Sequence, residues 1–292
     1  MPRPDSLDLM TISPPALLKS LRPFSLVVAL VSCGLGVALA LLAGKGSGMR
    51  ALVIVSTGLL LQAGVNLIND QSDLPWLQGE AYRHRRERIR RHTSWGLLCI
   101  GLSALIGGAL ALDVGWTLLG IMLLGLLGAL GYTCEPVHYK RRGLGVPLVF
   151  WLMGVLMIVG AFHAMGTPLS WTIVWLSFPV SLLVALLLLS NELRDWEADS
   201  RQGVQTLAVR LGFARGCKLY LLILAASYLL ALLLWQQGLL LRLWPLLPSL
   251  LLLPELISLL GVPAGQRIPL TPKTGRLLLV FGALFGSCLL PL

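Results

Sequence analysis

The chain has 292 residues, 56% of them hydrophobic and only 12% charged, with a mean hydropathy of +0.82. A soluble domain carries about twice that charged fraction, so the composition excludes a water-soluble globular protein and implies an integral membrane protein. The formal net charge is +10, but a nucleic-acid-binding protein is basic without long apolar runs, so no nucleic-acid partner is expected.

A helix that crosses a bilayer needs about 20 apolar residues. Nine stretches qualify in chain order: about 23–44, 50–69, 94–112, 114–133, 145–165, 171–190, 217–237, 243–261 and 277–291. The first follows a polar start of 22 residues and is too long for a signal-peptide core, so no cleavable leader is expected. The uncharged block from Gly143 to Asn191 holds two spans, broken near "GTPLS" (Gly166–Ser170). The eighth is interrupted by Pro245, Pro248, Pro254 and Glu255, and its kinks need neighbouring helices to satisfy the freed carbonyls. Five cysteines (Cys33, Cys99, Cys134, Cys217, Cys288) lie far apart with no CxxC pair, so neither a metal ribbon nor a disulfide framework is indicated. The predicted fold is all-α: a polytopic bundle of nine transmembrane helices over 23–292, after a cytoplasmic segment 1–22.

The basic residues choose an orientation. With the N-terminus in the cytoplasm, twenty of the 23 lysines and arginines fall on the cytoplasmic side, six of them between Arg83 and Arg91. Lys45, Arg50 and Arg242 remain on the other. The positive-inside rule selects this arrangement. Most of these cations set topology and meet anionic headgroups of the bilayer. The same arrangement gathers Asp70, Asp73, Glu80, Glu87, Glu135, Glu192, Asp195, Glu197 and Asp199 at or beyond the cytoplasmic helix ends. The rule ignores acids, so their gathering needs another cause.

Two clusters concentrate them: "NLINDQSD" (Asn66–Asp73) and "NELRDWEAD" (Asn191–Asp199). With about 100° per helical residue and Asn66 as zero, Asp70 lies near about +40° and Asp73 near about −20°. Asn191, Asp195 and Asp199 follow at i, i+4 and i+8, a second stripe. Like charges so spaced repel, and near a bilayer desolvation adds to the cost. A hard divalent cation resolves the conflict. Mg²⁺ takes oxygen ligands, typically one or two carboxylates plus substrate phosphates. Two such half-sites facing each other would hold a diphosphate between metal ions.

"NLINDQSD" followed by "NELRDWEADSRQGVQTLAVRLG" resembles the paired aspartate motifs of the UbiA superfamily of intramembrane prenyltransferases. The pattern N-x-x-R-D-x-x-x-D-x-x-x-G-x-x-T-L-x-V-R-L-G falls on Asn191, Arg194, Asp195, Asp199, Gly203, Thr206, Leu207, Val209, Arg210, Leu211 and Gly212. "LLKSLRPFSL" (Leu17–Leu26) resembles the family's entry into its first helix, and "GYTCEPVHYKRRGLG" (Gly131–Gly145) its tyrosine…proline…lysine…RGLG loop. Within the family the NLxND and TLAVRLG forms are most similar to the 1,4-dihydroxy-2-naphthoate branch of menaquinone biosynthesis, which implies a bacterial cytoplasmic membrane. Two positions depart from the pattern. Leu77 stands where many relatives carry a third acid, and Val146 follows "RGLG" where an acid is usual.

The resemblance implies transfer of a polyprenyl group from its diphosphate to an aromatic acceptor. It assigns Mg²⁺ ligation to Asp70, Asp73, Asp195 and Asp199. Asn66 and Asn191 become neutral oxygen ligands or their supporting partners, and Lys140, Arg142, Arg194 and Arg22 clamps for the diphosphate. Arginine suits bidentate phosphate contact and lysine a point charge. Tyr132 offers a π-face to the prenyl cation, or sits in an interfacial belt. Other acceptors fit the same motifs: 4-hydroxybenzoate, homogentisate, a glycerol lipid, or none, as in a membrane terpene cyclase. A cation-coupled transporter would place charges near the bilayer midplane, and both acidic stripes lie at one face instead.

Overall fold

The structure, a computed structural model, describes residues 17, 20–69, 71, 74, 79–133 and 139–290. Asp70, Asp73, Leu77 and His138 therefore lie outside the described residues. Every regular element among those described is helical. The helices are α1 (Pro23–Leu42), α2 (Gly48–Asn69), α3 (Arg83–Val114), α4 (Trp116–Thr133), α5 (Gly145–Ala164), α6 (Trp171–Arg194), α7 (Trp196–Arg201), α8 (Leu207–Leu211), α9 (Phe213–Gln236), α10 (Trp244–Leu259) and α11 (Leu270–Ser287). Among them α1, α2, α3, α5, α6 and α9 are long and apolar enough to cross a membrane, whereas α10 and the apolar part of α4 are shorter.

Polar contacts mark the two ends of the bundle. At one end Arg50 of α2 ties three helices together. Its Nε donates to the Ala164 carbonyl at 2.7 Å, and its Nη1 pairs with Asp113 at the end of α3 at 2.6 Å. At the other end lie the arginine-rich start of α3 and the second acidic cluster, where α6 passes into α7. A single residue, Gly115 (φ +118°), joins α3 to α4, a backbone geometry that side chains oppose.

The middle of the bundle is α6. Val180, Leu183, Leu186, Leu189 and Leu193 are shielded to 0% exposure by Leu277, Phe281 and Phe285 of α11 and Tyr220 of α9. α3 is its opposite: only 17% of its apolar window is buried. Leu98, Leu102, Leu105 and Leu112 face outward along it, as a lipid-contacting helix requires. Trp116, Trp171 and Trp244 start their helices at the Arg50 end and are 84%, 79% and 64% exposed, the placement of an interfacial aromatic belt.

Helix association inside lipid relies on close backbone approach between small residues. α2 and α3 cross at Gly64 and Gly96, where a Cβ on either glycine would stand 2.8 Å from the other's carbonyl oxygen. In α5 the segment Phe150–Leu156 widens into a π-helix, and Ser32 Oγ of α1 donates to the Met153 carbonyl there at 2.8 Å.

Three helices extend beyond their apolar stretches. α3 begins at Arg83 rather than near 94, α9 at Phe213 rather than 217, and α11 at Leu270 rather than 277. Hydropathy falls where charges begin, but a helix continues while one face packs. Ile89 and His92 continue the buried face of α3 past Gly96, and Leu270, Thr271 and Thr274 do the same for α11. Glu255 is not isolated at membrane depth: its carboxylate is half-exposed and pairs with Lys273.

Replacing Gly96 by valine is expected to cost about 1–3 kcal/mol by overpacking the α2–α3 crossing. Thermal unfolding in detergent checks this against Gly101→Ala on the same helix, where nothing lies within 4 Å of an added Cβ and no loss is expected.

Candidate active site

The second acidic cluster sits where α6 passes into α7. The helical ladder continues through the junction: Asp195 N–H donates to the Asn191 carbonyl at 3.0 Å and Asp199 N–H to the Asp195 carbonyl at 2.9 Å. Asn191, Asp195 and Asp199 therefore lie one above another along one face, as their spacing predicts, and all three are half-buried. Asp195 accepts a two-pronged contact from Arg194, Nε to Oδ1 at 2.8 Å and Nη2 to Oδ2 at 2.5 Å. The Asp195 carboxylate keeps 45% exposure.

The opposite face of the same two turns is anchored. Glu192, 6% exposed, accepts from the Ala208 N–H at 3.1 Å, while Thr206 caps the same short α8 by accepting from Val209 N–H at 3.4 Å. Trp196 Nε1 donates to the Ala208 carbonyl at 3.2 Å. Arg267 donates to the Leu193 carbonyl and to Glu197, both at 2.7 Å. Residues 192, 193, 196 and 197 thus hold the segment from behind, and 191, 195 and 199 remain in front. None of these anchors was expected from the sequence. Glu192, Trp196 and Glu197 interleave with the stripe, and no local pattern marks them as anchors. Arg267 is one of many topology-setting cations and carries no local signal.

At the first cluster α2 ends at Asn69, one residue before Asp70. Asn66 is 2% exposed and acts as a splint. Its Nδ2 donates to the Leu21 carbonyl at 2.7 Å and to Ser25 Oγ at 2.6 Å, and its Oδ1 accepts from Gln62 Nε2 at 3.1 Å. The residue it braces is Arg22, in the left-handed region at φ 48° just before Pro23, the single non-glycine with positive φ among those described. Such strain persists where its surroundings over-determine it, and here Ser25 N–H and Oγ also bind the Arg22 carbonyl, at 2.8 and 2.9 Å.

The third piece is the turn Tyr139–Arg142, which carries Lys140; the side chains of Lys140 and Tyr132 lie outside the described residues. Arg142 is exposed. Gly143, at φ +73°, lets the turn close on the second motif: a Cβ there would meet Arg210 Cδ at 2.6 Å, and Arg210 Nε donates to the Gln205 carbonyl at 3.1 Å. Val146, 4% exposed, starts α5 inside the core, where an acid would be costly.

The donors along the 191–199 stripe are all oxygens. A hard cation such as Mg²⁺ fits a pair of carboxylates one turn apart that leaves room for phosphate ligands, and Asp195 would share its oxygens with Arg194 or release it. Among the described residues no three histidines, cysteines or acids gather into a complete metal cage.

The model of the UbiA prenyltransferase family matches residues 26–262, which leaves Arg267 outside the matched stretch. A 1,4-dihydroxy-2-naphthoate octaprenyltransferase of Haemophilus influenzae is 28% identical over 227 residues, 71% of this chain and 73% of its own length. The Escherichia coli protein of that name is 30% identical, over 68% of each chain. A UbiA homolog from Archaeoglobus fulgidus, solved bound to GPP and Mg²⁺, superposes with a TM-score of 0.61 at 17% identity, covering 92% of this chain and 99% of that one. The chain belongs to the UbiA prenyltransferase family and is an integral membrane prenyltransferase.

Proposed function

We propose that the protein transfers a polyprenyl group from polyprenyl diphosphate to 1,4-dihydroxy-2-naphthoate, at the arginine-rich end of a bundle of nine crossings that faces the cytoplasm. The observation that carries the reading is the two-faced α6–α7 junction, with Asn191, Asp195 and Asp199 presented on one side and the other side anchored. The named relatives support this acceptor, and the arginine asymmetry supports the orientation.

Cleaving the allylic C–O bond leaves negative charge on the diphosphate and positive charge on the prenyl carbon. Bound Mg²⁺ supplies Lewis-acid neutralisation of that diphosphate charge. Asp195 and Asp199, with Asp70 and Asp73 from the end of α2, hold the metal side of the site, and Asn191 completes the stripe. Arg194 serves as a fork that exchanges its Asp195 partner for diphosphate oxygens, since a guanidinium matches either geometry. Lys140, Arg142 and Arg22 are assigned to the same leaving group, and Tyr132 to the prenyl chain. Asn66 acts through Arg22, holding the strained entry to α1 in place.

Asp195→Ala and Asp199→Ala are each expected to lower turnover at least 100-fold, while the protein still inserts and folds. Release of radiolabelled product in detergent, paired with a melting curve, checks this, and a variant keeping most of its activity would refute the ligand assignment. Chelation with EDTA is expected to abolish activity and Mg²⁺ to restore it. In a panel of dihydroxynaphthoate, 4-hydroxybenzoate and homogentisate, product is expected with the first alone. Failure to release diphosphate with any of these acceptors, with or without metal, would sink the enzyme reading.

A further inference from the structure

Arg267 lies in the link between α10 and α11, directly after the single 3-10 turn Ala264–Gln266, and is 2% exposed. A cation buried this deeply is costly unless it is paired and hydrogen-bonded, and each side of this guanidinium is used. Nη1 donates to the Leu193 carbonyl at 2.7 Å and Nη2 to Glu197 Oε1 at 2.7 Å, with a longer contact of 3.4 Å from Nε to the Val262 carbonyl. Its plane rests 4.0 Å above the Phe213 ring, which in turn packs on Trp196 at 5.8 Å. Leu193 is in the last turn of α6, where carbonyls lack helical partners and cations are favoured by the helix dipole. Glu197 lies one turn further on, in α7. One side chain therefore bridges the end of α6 to the start of α7, and the residue between those two grips is Asp195.

We infer that Arg267 is a positioning residue for the second aspartate pair: it fixes the angle at which α7 leaves α6, and with it where Asp195 and Asp199 stand relative to Asn191 and the bundle. The inference rests on the reading that these aspartates hold metal and diphosphate. Lysine at 267 keeps the charge but loses the fork that reaches two acceptors at once. Methionine keeps much of the volume but loses both grips. Both grips are on the segment that carries Asp195 and Asp199, so the expected effect is on metal and diphosphate.

The test uses the full-length protein in detergent with R267K, R267M and D195N. Binding of Mn²⁺ in the presence of inorganic pyrophosphate is followed by electron paramagnetic resonance, alongside Mg²⁺ titrations of activity well below each melting temperature. R267M is expected to weaken Mn²⁺ binding and raise the half-saturating Mg²⁺ concentration about tenfold. kcat falls by a similar factor, and the KM for the aromatic acceptor stays within twofold. R267K lies between R267M and wild type. Wild-type Mn²⁺ affinity in a folded R267M, whatever its melting temperature, overturns the inference. Should R267M not fold, R267K decides on the same two measurements, with unchanged metal affinity again overturning it. Mn²⁺ binding by wild type that D195N does not weaken overturns the aspartate reading itself, a result distinct from either.

Discussion

A helix end inside or beside a membrane has a problem that a helix end in water does not. Its last carbonyls lack partners, and the bilayer offers none. The α6–α7 junction meets that demand with charge. Arg267 takes the Leu193 carbonyl, Glu197 balances Arg267, and Glu192 satisfies the Ala208 N–H in the first turn of α8. Each group is tolerable because the next is present, and the chain of contacts closes on the aromatic pair Trp196 and Phe213. Without it, the turn that bears Asp195 and Asp199 has no fixed direction.

The same logic explains why so much polarity crowds one end of an otherwise apolar molecule. Leucines on α3 and α4 face lipid, and small residues let the helices touch, but neither device distinguishes one end from the other. The polar layer does. Asn66 binds the entry to α1 to the end of α2, Gly143 brings the Lys140 turn against Arg210, and the α6–α7 junction completes the layer. Three loops distant in sequence are thus tied to the same end of one bundle, two by hydrogen bonds and the Lys140 turn by close packing at Gly143.

Much of this was legible from residues alone. The apolar runs placed the long helices, because length and hydropathy are what a bilayer selects. The i, i+4, i+8 spacing placed Asn191, Asp195 and Asp199 on one face, because the helical ladder does run through them. What was not legible is equally physical. The starts of α3 and α11 hide among charges, where one buried face sustains the helix although the average hydropathy has fallen. Asn66 reads from its motif as an oxygen ligand or a supporting partner, and the contacts of its amide with Leu21, Ser25 and Gln62 have no signal in that motif. Arg267 is indistinguishable in sequence from a topology-setting arginine, since its role comes from a contact with residues about seventy positions earlier.

The Arg50 tie at the opposite end sets how the bundle is held. One guanidinium holds α2 to Asp113 of α3 and to the last carbonyl of α5. Three helices are therefore held in register at that end by one side chain, as α6, α7 and the α10–α11 link are held by Arg267 at the other, so the bundle is pinned at both ends by a guanidinium.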